Sequence, residues 1–465
     1  MQDVLENVLI DSLQERCEGE IIRPADAGYG EARTIWNAMI DRYPALIVRS
    51  TSSDDVIEAV RFARDNNLLL SVRGSGHSVA GMAVSDGGLM IDLSLMKELQ
   101  VDPDSGTVRA QPGVVFGEMD QATQPYGLAA PGGIVSETGI AGLTLGGGFG
   151  WLTRKYGFTC DNLVSAEVVT ANGELLTANA SENSDLFWGI RGGGGNFGIV
   201  TSFEYELQPV GPEVLAGMAI YPLDAAGDVL RFFRDFTAST PDELGALAVF
   251  LLAPPAPFLP QELHGKPVLA IIVCYVGDVE EGERVVQPLR DFGRQVFDGI
   301  MPKPFAAHNS SLDAGQPTGM HYYWKSEYAT EIADDAIETL VASAANMTSP
   351  YSRLGVFQLG GAIKRYDEQA MAVSHRNAEY VFAINTGWAD PQDTEKQVQW
   401  TRDLWTAIRP FSSGGVYVNF LSDDDGEDRV RAAYGAAKFE RLIQLKSKYD
   451  PQNLFQMNKN IKPRS

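Results

Sequence analysis

The chain has 465 residues, 44% hydrophobic and 21% charged, which is enough for a buried core and for two domains rather than one. Its formal net charge of −24 weighs against nucleic acid or an anionic membrane surface as partner, since both are polyanions. Cys17, Cys160 and Cys274 are odd in number and lack CxxC spacing, so neither a disulfide framework nor a zinc knuckle is implied.

Two readings of the acidic surplus stay open, plain solubility and a surface suited to high salt. The N-terminus, Met1 to Glu6, is acidic and has no basic stretch followed by an apolar one. No run approaches the ~18 consecutive apolar residues of a membrane helix. A cytoplasmic protein is expected.

In chain order, Ser53 to Ala63 reads as a capped helix with an acidic first turn and apolar residues at 56, 59, 60 and 63. Leu68 to Val72 has the pattern of a buried strand, and Gly88 to Leu93 that of another. Val101 to Ala110 holds two alternating segments around Pro103-Asp104-Ser105-Gly106, a hairpin signal. Ala166 to Thr170 and Glu174 to Thr177 flank Asn172-Gly173, a strong hairpin cue. Short strands and helices without regular βαβ alternation favour α+β over a doubly wound sheet.

After Gln208 the texture changes. Helical stretches (Asp228 to Phe236, Asp334 to Ala345) alternate with strand-like runs (Ala270 to Val273, Val381 to Ile384), as in one antiparallel sheet covered by helices. Ala253 to Pro260 reads as an exposed loop. Gly415 to Phe420 reads as a strand with Tyr417 and Asn419 on one face. The last fifty residues return to helix.

Three glycine-dense stretches stand out: Arg73-Gly74-Ser75-Gly76-His77-Ser78, the run from Thr138 to Gly150, and Gly192 to Gly198. None is a P-loop, because no Gly-Lys-Ser/Thr follows. Gly193 to Gly198 matches G-x-G-x-x-G, but a helix-like segment precedes it and a strand-like one follows, the reverse of a Rossmann unit. Loops without Cβ atoms let successive amide N–H groups converge on an anion, so the first two runs form candidate nests for a pyrophosphate, with His77 at the lip of one.

Together with Pro131-Gly132-Gly133, Arg154-Lys155-Tyr156-Gly157, Asp161-Asn162, Tyr417-Val418-Asn419 and Asp450-Pro451-Gln452-Asn453-Leu454-Phe455, these runs resemble the berberine-bridge-enzyme-like branch of the vanillyl-alcohol-oxidase flavoproteins. The likeness is weakest over residues 210–410. It implies an α+β fold: a PCMH-type FAD-binding domain from 1–207 and 412–465, and an inserted substrate domain, 208–411, with an antiparallel sheet backed by helices.

The resemblance also implies the site. FAD would be held by Arg73, Gly74, Ser75, Gly76, His77 and Ser78, with His77 bonded covalently to the flavin 8α-methyl. Gly132, Thr138, Gly139, Gly142, Gly147 and Gly150 would follow, then Val200, Asn419, Asn458 and Asn460. The position of the family's second, cysteine-borne link is Val135, and Cys160 falls in another segment, so a single covalent bond is expected.

Tyr417 is the leading catalytic candidate, with Asn162 as an active-site polar residue and Thr138 beside the flavin edge, where it would influence access of O₂. The family's base precedes a Gly-Gly pair, here Gly360-Gly361, where only Gln358 is polar. Tyr322, Tyr323, Trp324 and Lys325 read as core rather than as pocket. His264, His308, His321 and His375 lack H-E-x-x-H spacing and Asp423 to Asp425 reads as a solvated loop, so no metal is expected.

The expected activity is that of an FAD-dependent oxidase: hydride from a small alcohol, sugar, amine or secondary metabolite, with O₂ as acceptor and H₂O₂ as product. An oxidative cyclase or oxygenase, and a flavin-binding protein with decayed catalysis, are the alternatives.

Overall fold

The computed structural model describes residues 7–464; the hexapeptide Met1 to Glu6 read above lies outside them. The helix Ser53–Asp65 starts at a full capping box, with the Ser52 hydroxyl accepting from Asp55 N–H and the Asp55 carboxylate accepting from Ser52 N–H. Its buried face is Val56, Ala59, Val60 and Ala63, the stripe read from the sequence, widened by Phe62. It crosses between parallel strands of a small sheet in the order Glu20–Ile22, Leu46–Arg49, Leu89–Asp92, Leu70–Arg73. The last strand delivers the chain to the first glycine loop.

A second sheet is antiparallel throughout, in the order Leu99–Asp102, Thr107–Ala110, Ile199–Glu206, Leu163–Val169, Leu175–Asn179. Both expected hairpins are in it, and both turn on a left-handed glycine, Gly106 and Gly173. The third glycine run joins the helix Ser184–Ile190 to the strand Ile199–Glu206, the non-Rossmann order.

The third sheet is eight-stranded and antiparallel. Its central order is Glu213–Pro222, Pro267–Tyr275, Leu244–Leu252, Arg353–Gln358, Tyr380–Trp388, His321–Ala329. Because side chains alternate across a strand, each one serves two clusters. Ala246, Ala248, Phe250, Ile271, Val273 and Phe382 face the helices Ala226–Thr237, Val279–Asp291, Asp334–Ala344 and Thr394–Ile408. Leu247, Val249, Ala270 and Ile272 face the other way, toward the glycine loops.

The C-terminal helices Glu427–Tyr434 and Ala436–Tyr449 pack on the second sheet in one cluster with Val168, Phe203 and Tyr205. Asp450 explains the D-P-x-N-L-F motif: one carboxylate oxygen accepts from Leu454 N–H at 2.8 Å and the other from Phe455 N–H at 2.8 Å. Lys446, wholly buried like Asp450, pairs with it at 2.6 Å and donates to the carbonyls of Asn196 and Phe455. The turn so fixed lays Met457 to Lys459 along the central cavity.

Two expectations change. Gly415 to Phe420 is a bend ending in the 3-10 turn Val418–Phe420 rather than a strand, closed by Phe420 N–H on the Tyr417 carbonyl at 3.0 Å. Asp425 is not solvated: its carboxylate is 3% exposed and pairs with Lys325 at 2.9 Å. The loop after Ala253 is exposed as expected at Pro254, Pro255, Pro257 and Phe258, and only Leu259 beyond them turns inward. Among the described residues no helix is long and apolar enough to cross a membrane.

Removing one member of a buried ion pair leaves the other charge uncompensated. Lys446→Met is therefore expected to lower unfolding stability by about 3–5 kcal/mol, read from the denaturant midpoint, and Lys446→Met/Asp450→Asn to recover part of it.

Candidate active site

The first two glycine loops meet edge to edge. Gly139 N–H donates to the Ser75 hydroxyl at 2.9 Å, and a Cβ on Gly139 would lie 2.4 Å from that oxygen, so only glycine admits the approach. Behind this seam lies a cavity of about 540 Å³, in the range of sites for sizeable ligands. Gly74, Ser75, Gly76, His77 and Ser78 form one side, and Thr138, Gly139 and Gly142 the next. Gly194, Gly195, Gly198, Val200, Asn458 and Lys459 continue it, and the large sheet closes the far side.

His77 lies flat against Trp36, with ring centroids 4.8 Å apart and planes at 19°. Its Nε2 is buried without a hydrogen-bond partner. Burial pushes the imidazole down to about 4, so at neutral pH it is an uncharged nitrogen base. Trp36 is in turn stacked on Tyr322 at 3.7 Å, which gives the histidine a rigid backing. Three further cavity-wall residues carry buried atoms lacking partners: Trp324 Nε1, Asn385 Oδ1 and Asn458 Oδ1. Each of these atoms is free to bond a polar group that enters the cavity.

Tyr417 and Asn419 project together despite the change from strand to turn. The Tyr417 oxygen accepts from Gly148 N–H at 3.1 Å and from Asn419 Nδ2 at 2.9 Å. Asn419 also donates to the Leu143 carbonyl at 3.2 Å. Burial pushes the phenol well above its ordinary range, and the two hydrogen bonds only partly offset it. At rest the group is therefore a neutral phenol with its own proton left to donate. Phe149 and Phe420 pack on its ring, at centroid distances of 4.7 and 5.0 Å.

Several expected site residues stand outside the cavity wall. Gln358 is on the wrong face of its strand: residues 353, 355 and 357 face the cavity, whereas Gln358 Nε2 donates to the Thr237 carbonyl at 2.9 Å under a covering helix. Asn162 is spent on the backbone, its Nδ2 donating to the carbonyls of Tyr156 and Phe158, each at 3.0 Å. Arg73 braces the histidine loop from behind through Asp92, at 2.6 Å, and through the carbonyls of Ala32 and Thr34. Gly132, Gly147 and Gly150 are packing glycines; a Cβ on Gly150 would meet the Gly132 carbonyl at 2.2 Å and one on Gly132 the Phe116 ring at 2.4 Å. Asn460 lies beyond the wall with its Oδ1 buried and unpartnered.

Val135 lines the cavity with no sulfur to offer, and Cys160 is fully buried elsewhere, its Sγ 3.9 Å from Met371 Sδ. The sequence reading missed Trp36, Arg353, Phe357 and Asn385, and set Trp324 aside, although all but Trp36 line the cavity. It named the third glycine run without assigning it to the wall. The run's density was an available signal, whereas the others depend on pairings distant in sequence.

The fit to FAD rests on this geometry: two abutting glycine loops, an uncharged imidazole with a stranded nitrogen, and a cavity behind them. Comparison with known proteins agrees. A family model described as an FAD binding domain matches residues 44–179, and one described as berberine and berberine like matches residues 416–462. The chain is 31% identical to an FAD-linked oxidoreductase of Dictyostelium discoideum, over 98% of this chain and 97% of that protein. It is also 31% identical to (R)-6-hydroxynicotine oxidase of Paenarthrobacter nicotinovorans, over 96% and 97%.

The crystal structure of 6-hydroxy-D-nicotine oxidase from Arthrobacter nicotinovorans superposes with a TM-score of 0.87 at 28% identity, covering 96% of this chain and 98% of that one. The fold is shared with BBE-like 1 of Physcomitrella patens, with a TM-score of 0.86 at 24% identity over 98% of this chain and all of that one. With the glycine seam, the backed histidine and these relatives in view, the chain belongs to the berberine-bridge-enzyme-like family of FAD-linked oxidoreductases.

Proposed function

We propose that the protein is a cytoplasmic oxidase of small organic molecules that holds FAD by one covalent bond, at His77, and uses O₂ as acceptor. FAD bound there would supply a two-electron acceptor for a substrate hydride, regenerated by O₂ with release of H₂O₂. The observation that carries the reading is His77 itself, an uncharged imidazole with a buried, unpartnered nitrogen on the wall of a glycine-lined cavity. The domain division that goes with it is 1–207 with 412–465 for the cofactor and 208–411 for the substrate.

The chain's own groups then have distinct tasks. The amides of the 74–78 loop, which the Ser75–Gly139 bond holds against the second glycine run, would hold the pyrophosphate, and the Trp36 stack holds the imidazole plane. Thr138 is on the wall, and its loop would border the flavin edge. Tyr417, positioned by Gly148 and Asn419, keeps its phenol proton and donates a hydrogen bond from it into the cavity, which orients the substrate group to be oxidised. A second reading, a flavin-binding protein without turnover, is favoured by one observation: among the described residues no Asp or Glu lines the cavity.

Acid precipitation is expected to carry the flavin down with the wild-type protein and to leave it in the supernatant for His77→Ala. Denatured holoprotein is expected to titrate three thiols, Cys17, Cys160 and Cys274, all of them buried in the fold; a count of two would mean a second link through sulfur. Peroxide release across a panel of alcohols, amines, sugars and acids tests the oxidase reading, and yellow protein silent on every member supports the second. On a turned-over substrate, Tyr417→Phe is expected to lower kcat by roughly 10²-fold with KM little changed.

A further inference from the structure

Three strands of the large sheet place Trp324, Asn385 and Arg353 in one row. Trp324 pairs in register with Asn385, and Asn385 with Arg353, so all three side chains leave the same face, and all three line the cavity. Each has polar capacity that the protein does not use. Trp324 Nε1 and Asn385 Oδ1 are buried without partners, and the amide of Asn385 can turn to present its NH₂ instead. Arg353 donates through Nη1 to the carbonyls of Pro350 and Ser352, each at 2.7 Å, and its Nε and Nη2 have no acceptor among the described residues.

Arg353 is also without a carboxylate. Three of the fold's most buried cations are matched with acids: Lys446 with Asp450, Arg376 with Asp161, and Lys325 with Asp424 and Asp425. Arg353 takes part in no ion pair among the described residues, although the chain carries 61 acidic side chains against 37 basic ones. Burial pushes its guanidinium down to about 10, which still leaves it cationic at neutral pH. An unpaired guanidinium that faces a cavity with donors to spare is suited to meet an anion there.

We propose that the cavity takes a monocarboxylate with an apolar body, and that Arg353, flanked by Asn385 and Trp324, binds its carboxylate group. The planar fork of arginine matches a carboxylate through two parallel N–H groups, and its two free donors supply them. One unpaired cation neutralises one charge, so a dianionic phosphate would remain uncompensated. Lys459, the other cation on the wall besides Arg353, donates to the Ser422 carbonyl and stands near Asp423, Asp424 and Asp425.

Gly355, next on the same face, adds no side chain between Arg353 and Phe357, and Met218, Ile220, Leu247, Val249 and Ile272 complete an apolar surface suited to a hydrocarbon rather than a sugar. The absence of Asp and Glu from the wall fits the same ligand, since either would repel it. The word substrate here rests on the oxidase reading above; the binding of the acid does not.

The test uses holoprotein whose visible flavin band is recorded first. 3-Phenylpropanoate and its neutral amide, 3-phenylpropanamide, are titrated while the band and the thermal midpoint are followed. The acid is expected to bind roughly tenfold tighter or better than the amide, Arg353→Met to erase that preference while changing the amide Kd by less than about twofold, and Arg353→Lys to keep part of it. Equal binding of acid and amide by the wild type, no binding of the acid at millimolar concentration, or a preference that survives Arg353→Met would overturn the proposal. Protein that lacks the flavin band would count against the oxidase reading alone, because the thermal midpoint still compares the two probes. Should Arg353→Met not fold, the wild-type comparison decides.

Discussion

The approach of the turn at 139–148 to two distant stretches of chain is the contact on which the rest of this site depends. On one side a Cβ at Gly139 would be 2.4 Å from the Ser75 hydroxyl; on the other, a Cβ at Gly146 would be 2.1 Å from Asn419 Oδ1. Backbone therefore meets side chain at distances no other residue allows. The first contact joins the two candidate nests. The second docks the C-terminal segment, so that Tyr417 receives the Gly148 N–H and the phenol oxygen is held in place. One strip of bare backbone thus aligns the first glycine loop with the phenol of Tyr417, and a methyl group at either position would separate them.

The large sheet supplies the opposite wall by a different physical rule. Its period of two sends one set of side chains into the helical layer, where burial stabilises the domain, and the other set into the cavity, where the same strands define what fits. The two roles are kept apart by parity alone. Phe357 faces the cavity while Gln358 is tied to Thr237 beneath a helix, and Leu354 and Val356 sit in the core while Arg353 and Gly355 line the cavity. A one-residue slip in register would exchange packing residues for recognition residues along the whole strand.

This explains which parts were legible from sequence. The helix after Ser52 was, because a capping box and a 3.6-residue stripe are local. The hairpins at Gly106 and Gly173 were, because a left-handed turn residue announces itself. The direction of the chain through Gly193 to Gly198 also was, since flanking patterns distinguish helix from strand. Gln358 was chosen for its polarity without regard to the parity that turns it away. Asn162 was assigned from its place after a motif, yet its amide is consumed by two carbonyls in its own loop. Six residues of alternation at Gly415 to Phe420 fit a strand and an extended bend equally well, and only the Phe420-to-Tyr417 hydrogen bond decides. The Trp36 stack and the Trp324–Asn385–Arg353 row arise from pairings tens of residues apart, on which local patterns are silent.

Net charge and local charge act here on different length scales. The chain's −24 describes a surface, and at physiological salt the field of an exposed charge is damped within about 8 Å. Inside the cavity that damping is largely lost, and the wall's charge is set by Arg353 and Lys459, with no Asp or Glu among the described lining residues. Lys459 feels the acids of the 423–425 loop, whereas no acid among the described residues acts on Arg353. An anion approaching the protein meets weak, screened repulsion outside and one strong, unscreened attraction within. Selection by charge is therefore exerted at the row on the sheet and not at the surface, which frees the acidic exterior to serve solubility without opposing what the cavity accepts.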